Sequence, residues 1–458
     1  LSTGGAVIGL EDSITDISVG GLQALTDYKY PIEIISNSAE KFDWDCAIGN
    51  GKKSDFVALL LARLMKGKRI VVTTSSQKFG EMLERLVLDK IPELAGKIER
   101  IDRTTINGLK DSELLTDPSS YLRSKGIRLL ILSPTVESGF SIVDGEGEPL
   151  FDRVMAYFVN LDTRSQNQLL SRYRSNCPRD IYVLERGAEA GNFPSRDPEK
   201  LLKVQRQTAN ITSLEQGNGR IVNSAVGDIW NKLGAEFATR SALSSQYLRE
   251  YLEIELTKRG HSITSADWLE IGKGEGLELP DSQTIRVDIN AILEQLDIES
   301  AKQKERAQAF MGANGKPDVK KATAILHSST SSNEDRLRAE KTILKDDLPG
   351  ADLTFDFILE AVVKRRGAYR RECELNYFIN KPQLAKLLDR DIFKTQLDQP
   401  HIIYRRVPKL SQRVTLLSPV ADYVADLLQR EYSEGDPMVE QMNDYLITNS
   451  YKFFILLK

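Results

Sequence analysis

Glu11 and Asp12 follow a short apolar run, Ala6–Leu10 (AVIGL). Two adjacent carboxylates at a strand end can position a magnesium ion, directly or through water, and activate a water near a phosphate. The plain alternative is a solvated acidic turn. A second group is Thr73-Thr74-Ser75-Ser76-Gln77, after the β-branched run RIVV. Hydroxyls on a turn that opens a helix can hold phosphate oxygens. Ser75 or Ser76 could equally be an ordinary helix cap. A third group is Ser133–Ile142 (SPTVESGFSI), directly after the apolar run IRLLIL. It crowds hydroxyls (Thr135 and Ser138 among them), Glu137 and the permissive Gly139 at a strand end. The fourth is Gln166–Arg174 (QNQLLSRYR). Leu169 and Leu170 can face a sheet there. Arg172 and Arg174, if helical, point about 200° apart. A permanently charged guanidinium suits the charge that builds on a transferring phosphoryl group, and an arginine is by default also a surface ion-pair partner.

Two further segments carry positive charge. Gly49–Ser54 (GNGKKS) leads into an apolar helix and invites a P-loop reading. A P-loop needs glycine, four residues, then Gly-Lys-Ser/Thr. With Gly51-Lys52 as its end, Lys53 holds the Ser/Thr place and Cys46 the first glycine place, so the segment reads as a solvated turn. Lys364, Arg365 and Arg366, with Arg370 and Arg371, form the densest basic cluster, with Tyr369 inside it. Charge there can counter phosphates and the tyrosine can stack on a base. Acidic neighbours Glu372 and Glu374 fit a solvated helix face equally well.

The elements that must position these groups are legible up to about residue 190. Strands are expected at Arg69–Thr74, Lys97–Ile101, Ile127–Leu132, Asp152–Phe158 and Asp180–Leu184. Helices are expected from Ser54 or Asp55 to Leu64, at Lys78–Leu88, Leu114–Lys125 and Arg164–Arg174. Near-continuous apolar strands alternating with helices predict an α/β fold with a mostly parallel sheet covered on both faces. In such sheets ligands gather at the carboxyl ends of strands, where all four polar groups are expected. After Gly187 helical spacing dominates. Gly272–Asp281 is a turn-rich junction, His327–Glu334 is linker-like, and His401–Thr415 alternates as a hairpin would.

Composition bounds the rest. The 458 residues are 41% hydrophobic and 28% charged, with a net charge of −4. That is globular composition and excludes a uniformly cationic nucleic-acid coat. Apolar runs such as Val57–Ala62 are too short to span a bilayer. Cys46, Cys177 and Cys373 are scattered and odd in number, which points to a reducing, cytoplasmic compartment. The three histidines lie apart from the cysteines, so no zinc site is expected.

Taken in order, the strand with its acid pair, TTSSQ, SPTVESG and QLLSRYR resemble the second half of a superfamily 2 helicase core. Glu11-Asp12 looks like the end of motif II. Ser75–Gln77 is similar to motif IV, Ser133–Ile142 to motif V and Gln168–Arg174 to motif VI. The chain resembles more closely the plasmid replication protein A family of cyanobacteria, itself similar to herpesvirus origin-binding helicases. GLEDSITDISV (Gly9–Val19), LSPTVESGFSI (Leu132–Ile142), FDRVMAYF (Phe151–Phe158) and QLLSRYR carry that likeness. The helicase likeness covers roughly residues 1–190.

The resemblance implies two RecA-like lobes with ATP and magnesium between them and single-stranded or forked DNA across the top. It implies residues 1–50 as the end of the first lobe, 51–190 as the second, 191–275 as a helical extension and 276–458 as a helical C-terminal domain. Glu11 and Asp12 would serve magnesium and water, Arg172 and Arg174 the γ-phosphate, and Gln168 orientation at the cleft. Ser75, Ser76, Gln77, Thr135, Ser138 and the basic cluster would meet the strand. These groups are expected to converge on one gap. Replication proteins are further expected partners.

Three departures stand. The usual order is acid then glutamate, whereas here Glu11 precedes Asp12, and Asp16 is a further candidate. Ser171 replaces the motif VI glycine, and Ser175 holds its last arginine place. No P-loop is present, so the preceding part of the first lobe is expected outside these residues. The leading expectation is an ATP-dependent DNA helicase or translocase of plasmid replication. The alternative is a non-hydrolysing DNA-binding initiator or loader; a third reading is an α/β transferase holding a sugar nucleotide.

Overall fold

The computed structural model describes residues 16–27, 29, 32–33, 42–106, 113–135, 140–145, 148–187, 195–215, 222–328, 331–348, 350–365, 368–398, 409–429, 431, 433 and 435–450. The run Ala6–Leu10, Glu11 and Asp12 lie outside the described residues, as do Ser138 and Arg366.

The chain divides into two compact units, Asn37–Glu189 with Ser244–Ala368, and Leu1–Ser36 with Ala190–Leu243 and Tyr369–Lys458. The first unit is α/β. Its strands are β1 (Asp45–Gly49), β2 (Ile70–Thr74), β3 (Ile98–Ile101), β4 (Leu129–Leu132), β5 (Ile142–Val143), β6 (Arg153–Phe158), β7 (Tyr173–Arg174), β8 (Arg179–Val183) and β9 (Ser262–Ser265). Seven of them form one sheet in the order β3-β4-β2-β6-β8-β1-β9. Every pairing in it is parallel, as the sequence predicts. β5 and β7 form a separate parallel pair.

Parallel pairing forces each connection across a face of the sheet. The helices after β1 and β2, Lys53–Met65 and Gln77–Lys90, lie on one face with Ile70, Val72, Leu129, Ile131 and Met155. The helices Pro118–Lys125, Thr163–Leu170 and Leu248–Lys258 lie on the other, with Val71, Leu130, Val154, Ala156 and Ile181. The alternation along each strand is the period-2 pattern of a sheet buried on both sides. The long helix Ser282–Arg306 packs over Lys53–Met65 through Ile285 and Ile289, so that helix is buried nearly all round. Each such leucine or phenylalanine contributes about 1.5–3 kcal/mol of burial.

Several sequence expectations shift here. The boundary near residue 50 is not where the units divide, because β1 hydrogen-bonds to β8 and β9 within the same sheet. The extension 191–275 is likewise not purely helical, since β9 joins that sheet. Neither Ser54 nor Asp55 caps the helix Lys53–Met65; Lys52 is its N-cap. The helix expected over Leu114–Lys125 breaks at Asp117-Pro118, where Asp117 caps the second piece and proline cannot continue the first. The helix expected over Arg164–Arg174 ends at Leu170, and Tyr173–Arg174 pairs as β7 instead.

The second unit is helical among its described residues, with Pro198–Glu215, Ala368–Ile379, Pro382–Leu397, Leu410–Leu427 and Pro437–Thr448 as its main elements. Buried Asp389 accepts from Leu410 N (3.3 Å) and Ser411 N (2.7 Å), fixing the start of a helix that carries no side-chain cap of its own. The hairpin expected over His401–Thr415 is overturned from Leu410 onward by that helix; residues 401–408 lie outside the described residues.

At the amino ends of the strands a buried ion cluster ties four elements together. Asp180 of β8 accepts from Arg63 (2.5 Å) and from Arg153 of β6 (3.1 Å), and Arg63 also donates to Glu275 (2.7 Å). The side chains of Arg63 and Asp180 are 2% and 0% exposed. Removing Asp180 leaves the buried Arg63 guanidinium with only the part-exposed Glu275 to offset its charge. Asp180→Ala is therefore expected to lower unfolding stability by about 3–5 kcal/mol in urea titration, while Asp180 and Arg63 replaced together by leucine should lose much less. Equal losses would show that the charge is not the cause.

Candidate functional site

β2 lies between β4 and β6, and its onward connection crosses the face opposite to that of β6. A strand order that diverges in this way leaves a crevice at the carboxyl edge. The turns Thr74–Gln77 and Ser133–Thr135 both open onto that edge, as the sequence predicts.

The turn after β2 is strongly self-bonded. Ser75 N donates to Tyr157 O (3.1 Å), and Val159 N donates to Ser75 Oγ (3.1 Å). Ser75 thus holds the ends of β2 and β6 together. Ser76 caps the helix Gln77–Lys90 by accepting from Phe79 N (3.2 Å), and its own N–H donates to Thr74 Oγ1 (3.0 Å). The ordinary capping role foreseen for Ser76 is present. Gln77 has no side-chain hydrogen bond among the described residues. Below it Tyr157 stacks between Phe79 (3.9 Å) and Tyr182 (4.9 Å), and burial with the Tyr182 neighbour pushes its phenol up to about 12.

After β4, Ser133 is buried, Pro134 exposed and Thr135 half-buried, with Thr135 N donating to Ser133 Oγ (3.4 Å). The chain then reaches Phe140 on the face that carries Thr163–Leu170. Arg172 Nη1 donates to Phe140 O (2.9 Å), and Ile142 N donates to Arg172 O (2.8 Å). Phe140 and Ile142 are therefore both bonded to Arg172.

The expected convergence on one gap is not what the described residues show. Tyr173 O and Ser175 O both accept from Arg179 Nη2 (3.0 and 2.9 Å), and Ser175 O accepts from Trp44 Nε1 (3.0 Å). Arg179 opens β8 and Trp44 precedes β1, so residues 173–175 sit at the amino end of the sheet. The reason is topological: the helix Thr163–Leu170 returns the chain to the start of the next parallel strand. Arg174 is exposed there on β7, Arg172 lies in the turn before it, and the two arginines do not follow helical spacing.

Sequence reasoning singled out Gln168, which is half-buried. It passed over Gln166 and Asn167, which are 0% and 2% exposed. Helical period placed them on the face of Leu169 and Leu170, so the signal was available. Gln166 Oε1, both polar atoms of the Asn167 amide and Thr73 Oγ1 are buried without a hydrogen bond among the described residues. Such atoms mark places where solvent or a ligand completes the bonding.

Lys364 and Arg365 of the basic cluster belong to the α/β unit. Lys364 is exposed and pairs with Glu360, whose carboxylate holds its ammonium above the usual range. Arg370 and Arg371 lie on the helix Ala368–Ile379 of the other unit. No group of three or more metal-ligating side chains occurs among the described residues. No helix among them is long and apolar enough to cross a membrane. His261 is buried and stacks on Trp44 at 4.2 Å, which is a structural role.

Ser75→Ala removes the acceptor of the Val159 amide. A loss of about 1 kcal/mol in urea titration is expected, against little change for Gln77→Ala. Unchanged stability in Ser75→Ala would mean that this bond does not join the two strand ends.

No family model and no curated protein matches the chain.

Proposed function

We propose that this chain supplies the second RecA-like lobe of an ATP-dependent DNA helicase or translocase of plasmid replication. One observation carries the reading: the stretches that resemble motifs IV, V and VI are contiguous in space. β2 and β4 are neighbours, and the segment after β4 is bonded to Arg172. A strand seated on the turns at Ser75–Gln77 and Thr135 would rest on the seven-stranded sheet, and Arg172 is tied to the chain after β4 through Phe140 O. Through the Arg172–Phe140 bond, a shift of one segment is felt by the other.

In this reading ATP and magnesium sit against a preceding lobe, with Glu11 and Asp12 on the magnesium side. Arg172 or Arg174 meets the γ-phosphate, and single-stranded or forked DNA crosses the carboxyl edge. Lys364 and Arg365 add phosphate contacts.

A second reading is a non-hydrolysing DNA-binding initiator or loader. It is favoured by the position of Arg174 at the amino end of the sheet and by the use of Arg172 to hold Phe140 O. Salt-dependent DNA affinity that nucleotide leaves unchanged would support it.

The deciding assay is DNA-stimulated ATP hydrolysis by the full-length protein. The Arg172→Ala, Arg174→Ala double variant is expected to lose on the order of 10³-fold in rate. Undiminished hydrolysis in that variant would remove the arginines from the mechanism.

A further inference from the structure

His261 stands at a corner of the α/β unit. The helix Leu248–Lys258 ends at Arg259. Gly260, at φ +91°, lets the chain turn back so that the His261 amide donates to Leu256 O (3.1 Å). β9 starts at the next residue, Ser262. The imidazole is 9% exposed and is turned onto Trp44, the residue before β1. The two rings stack at 4.2 Å with 12° between their planes. Trp44 N donates to His261 Nδ1 (3.3 Å). That nitrogen must therefore carry a lone pair, and a doubly protonated ring has none to give.

The same indole already carries a cation. The Arg179 guanidinium lies 4.3 Å from its ring centre, and Trp44 Nε1 donates to Ser175 O (3.0 Å). Arg179 is fully buried and donates to the carbonyls of Cys177, Tyr173 and Ser175 and to Cys177 Sγ. No carboxylate pairs with it among the described residues. A charge on His261 would add a second cation to this indole.

Charged groups reach the imidazole from three elements. Arg179 comes from β8, Arg259 from the end of the helix and Asp43 from the segment before β1. Arg259 is paired with Glu255 (3.3 Å), and Asp45 accepts from Ser262 Oγ (2.6 Å). Burial, then Arg179 and Arg259, hold the imidazole below its ordinary value of about 6.5, against Asp43 and a bond with the Phe42 backbone. β9 has little else to keep it in place. It is four residues long, largely exposed, and pairs with β1 at the edge of the sheet. Its first amide, Ser262 N, donates to Trp44 O (3.0 Å). Trp44 thus gives its N–H to His261 and its C=O to Ser262, so corner and strand are held through one residue.

We propose that His261 is an acid-operated latch for the edge strand. Neutral, it accepts the Trp44 amide and keeps β9 on β1. Protonated, it no longer accepts, it stands beside Arg179 as a second cation, and β9 comes away. The sign follows from the neutral folded form. An imidazole held low in the fold contributes stability that is whole above about 6.5 and is lost as pH falls through the folded value. Release bares the backbone edge of β1. The latch uses none of the residues on which the helicase reading rests.

Hydrogen–deuterium exchange of the full chain from about pH 7.5 to about pH 5, corrected for the chemical exchange rate, tests it. Protection in peptides covering residues 43–49 and 262–266 is expected to fall roughly tenfold toward the acid end. Peptides covering residues 70–74 and 129–132 are expected to hold theirs. His261→Asn, whose amide oxygen can still accept from Trp44 N, is expected to stay within about twofold across the range. Arg259→Gln removes a part-exposed cation that opposes the charge, so its fall is expected at higher pH; this variant decides where His261→Asn does not fold. Flat protection in the parent overturns the proposal, as does a fall that the core peptides share. So does an equal fall in His261→Asn, or an unmoved midpoint in Arg259→Gln.

Discussion

Parallel pairing of seven strands is the constraint on which the α/β unit rests. A parallel strand cannot be followed by a tight hairpin, so each connection must climb back across a face. All turns that follow strands then open on one edge, and all returning segments close on the other. The two edges differ accordingly. The returning edge carries the Asp180 ion cluster and the Arg179–Trp44–His261 stack, both buried. The other carries hydroxyls both buried (Thr74, Ser133) and half-buried (Ser75, Ser76, Thr135), with glycines and lysines on short turns.

This division explains why the arginines after Leu170 are not where their residue types alone would place them. They lie on a returning segment. Arg172 donates to the carbonyl oxygen of Phe140, which packs on the same face of the sheet as Thr163–Leu170.

Much of the α/β architecture was legible because burial on both faces writes itself as apolar runs. IVVTT, LLIL, RVMAYF and RDIYV are strands within a residue or two of their expected bounds. Turn chemistry was legible where local: Ser76 as a cap needs only its own helix. What sequence could not give were the long-range pairings. β9 is polar and exposed along most of its length, so nothing in SITS announces a strand; its partner β1 makes it one. Residues 173–174 sit in a helical pattern and become extended because Ile142–Val143 pairs with them. Ser75 and Ser76 lie at the end of β2, where the sequence puts them, and Ser75 joins two strand ends.

The central claim is that the carboxyl edge of β2 and β4 is where a nucleic-acid strand lies. Hydrogen–deuterium exchange of the full chain, with and without a single-stranded oligonucleotide, addresses it most directly. The account predicts slowed amide exchange in peptides covering residues 75–79 and 133–142, with residues 173–180 unchanged. Protection confined to residues 173–180, or none at either edge at saturating oligonucleotide, would contradict it.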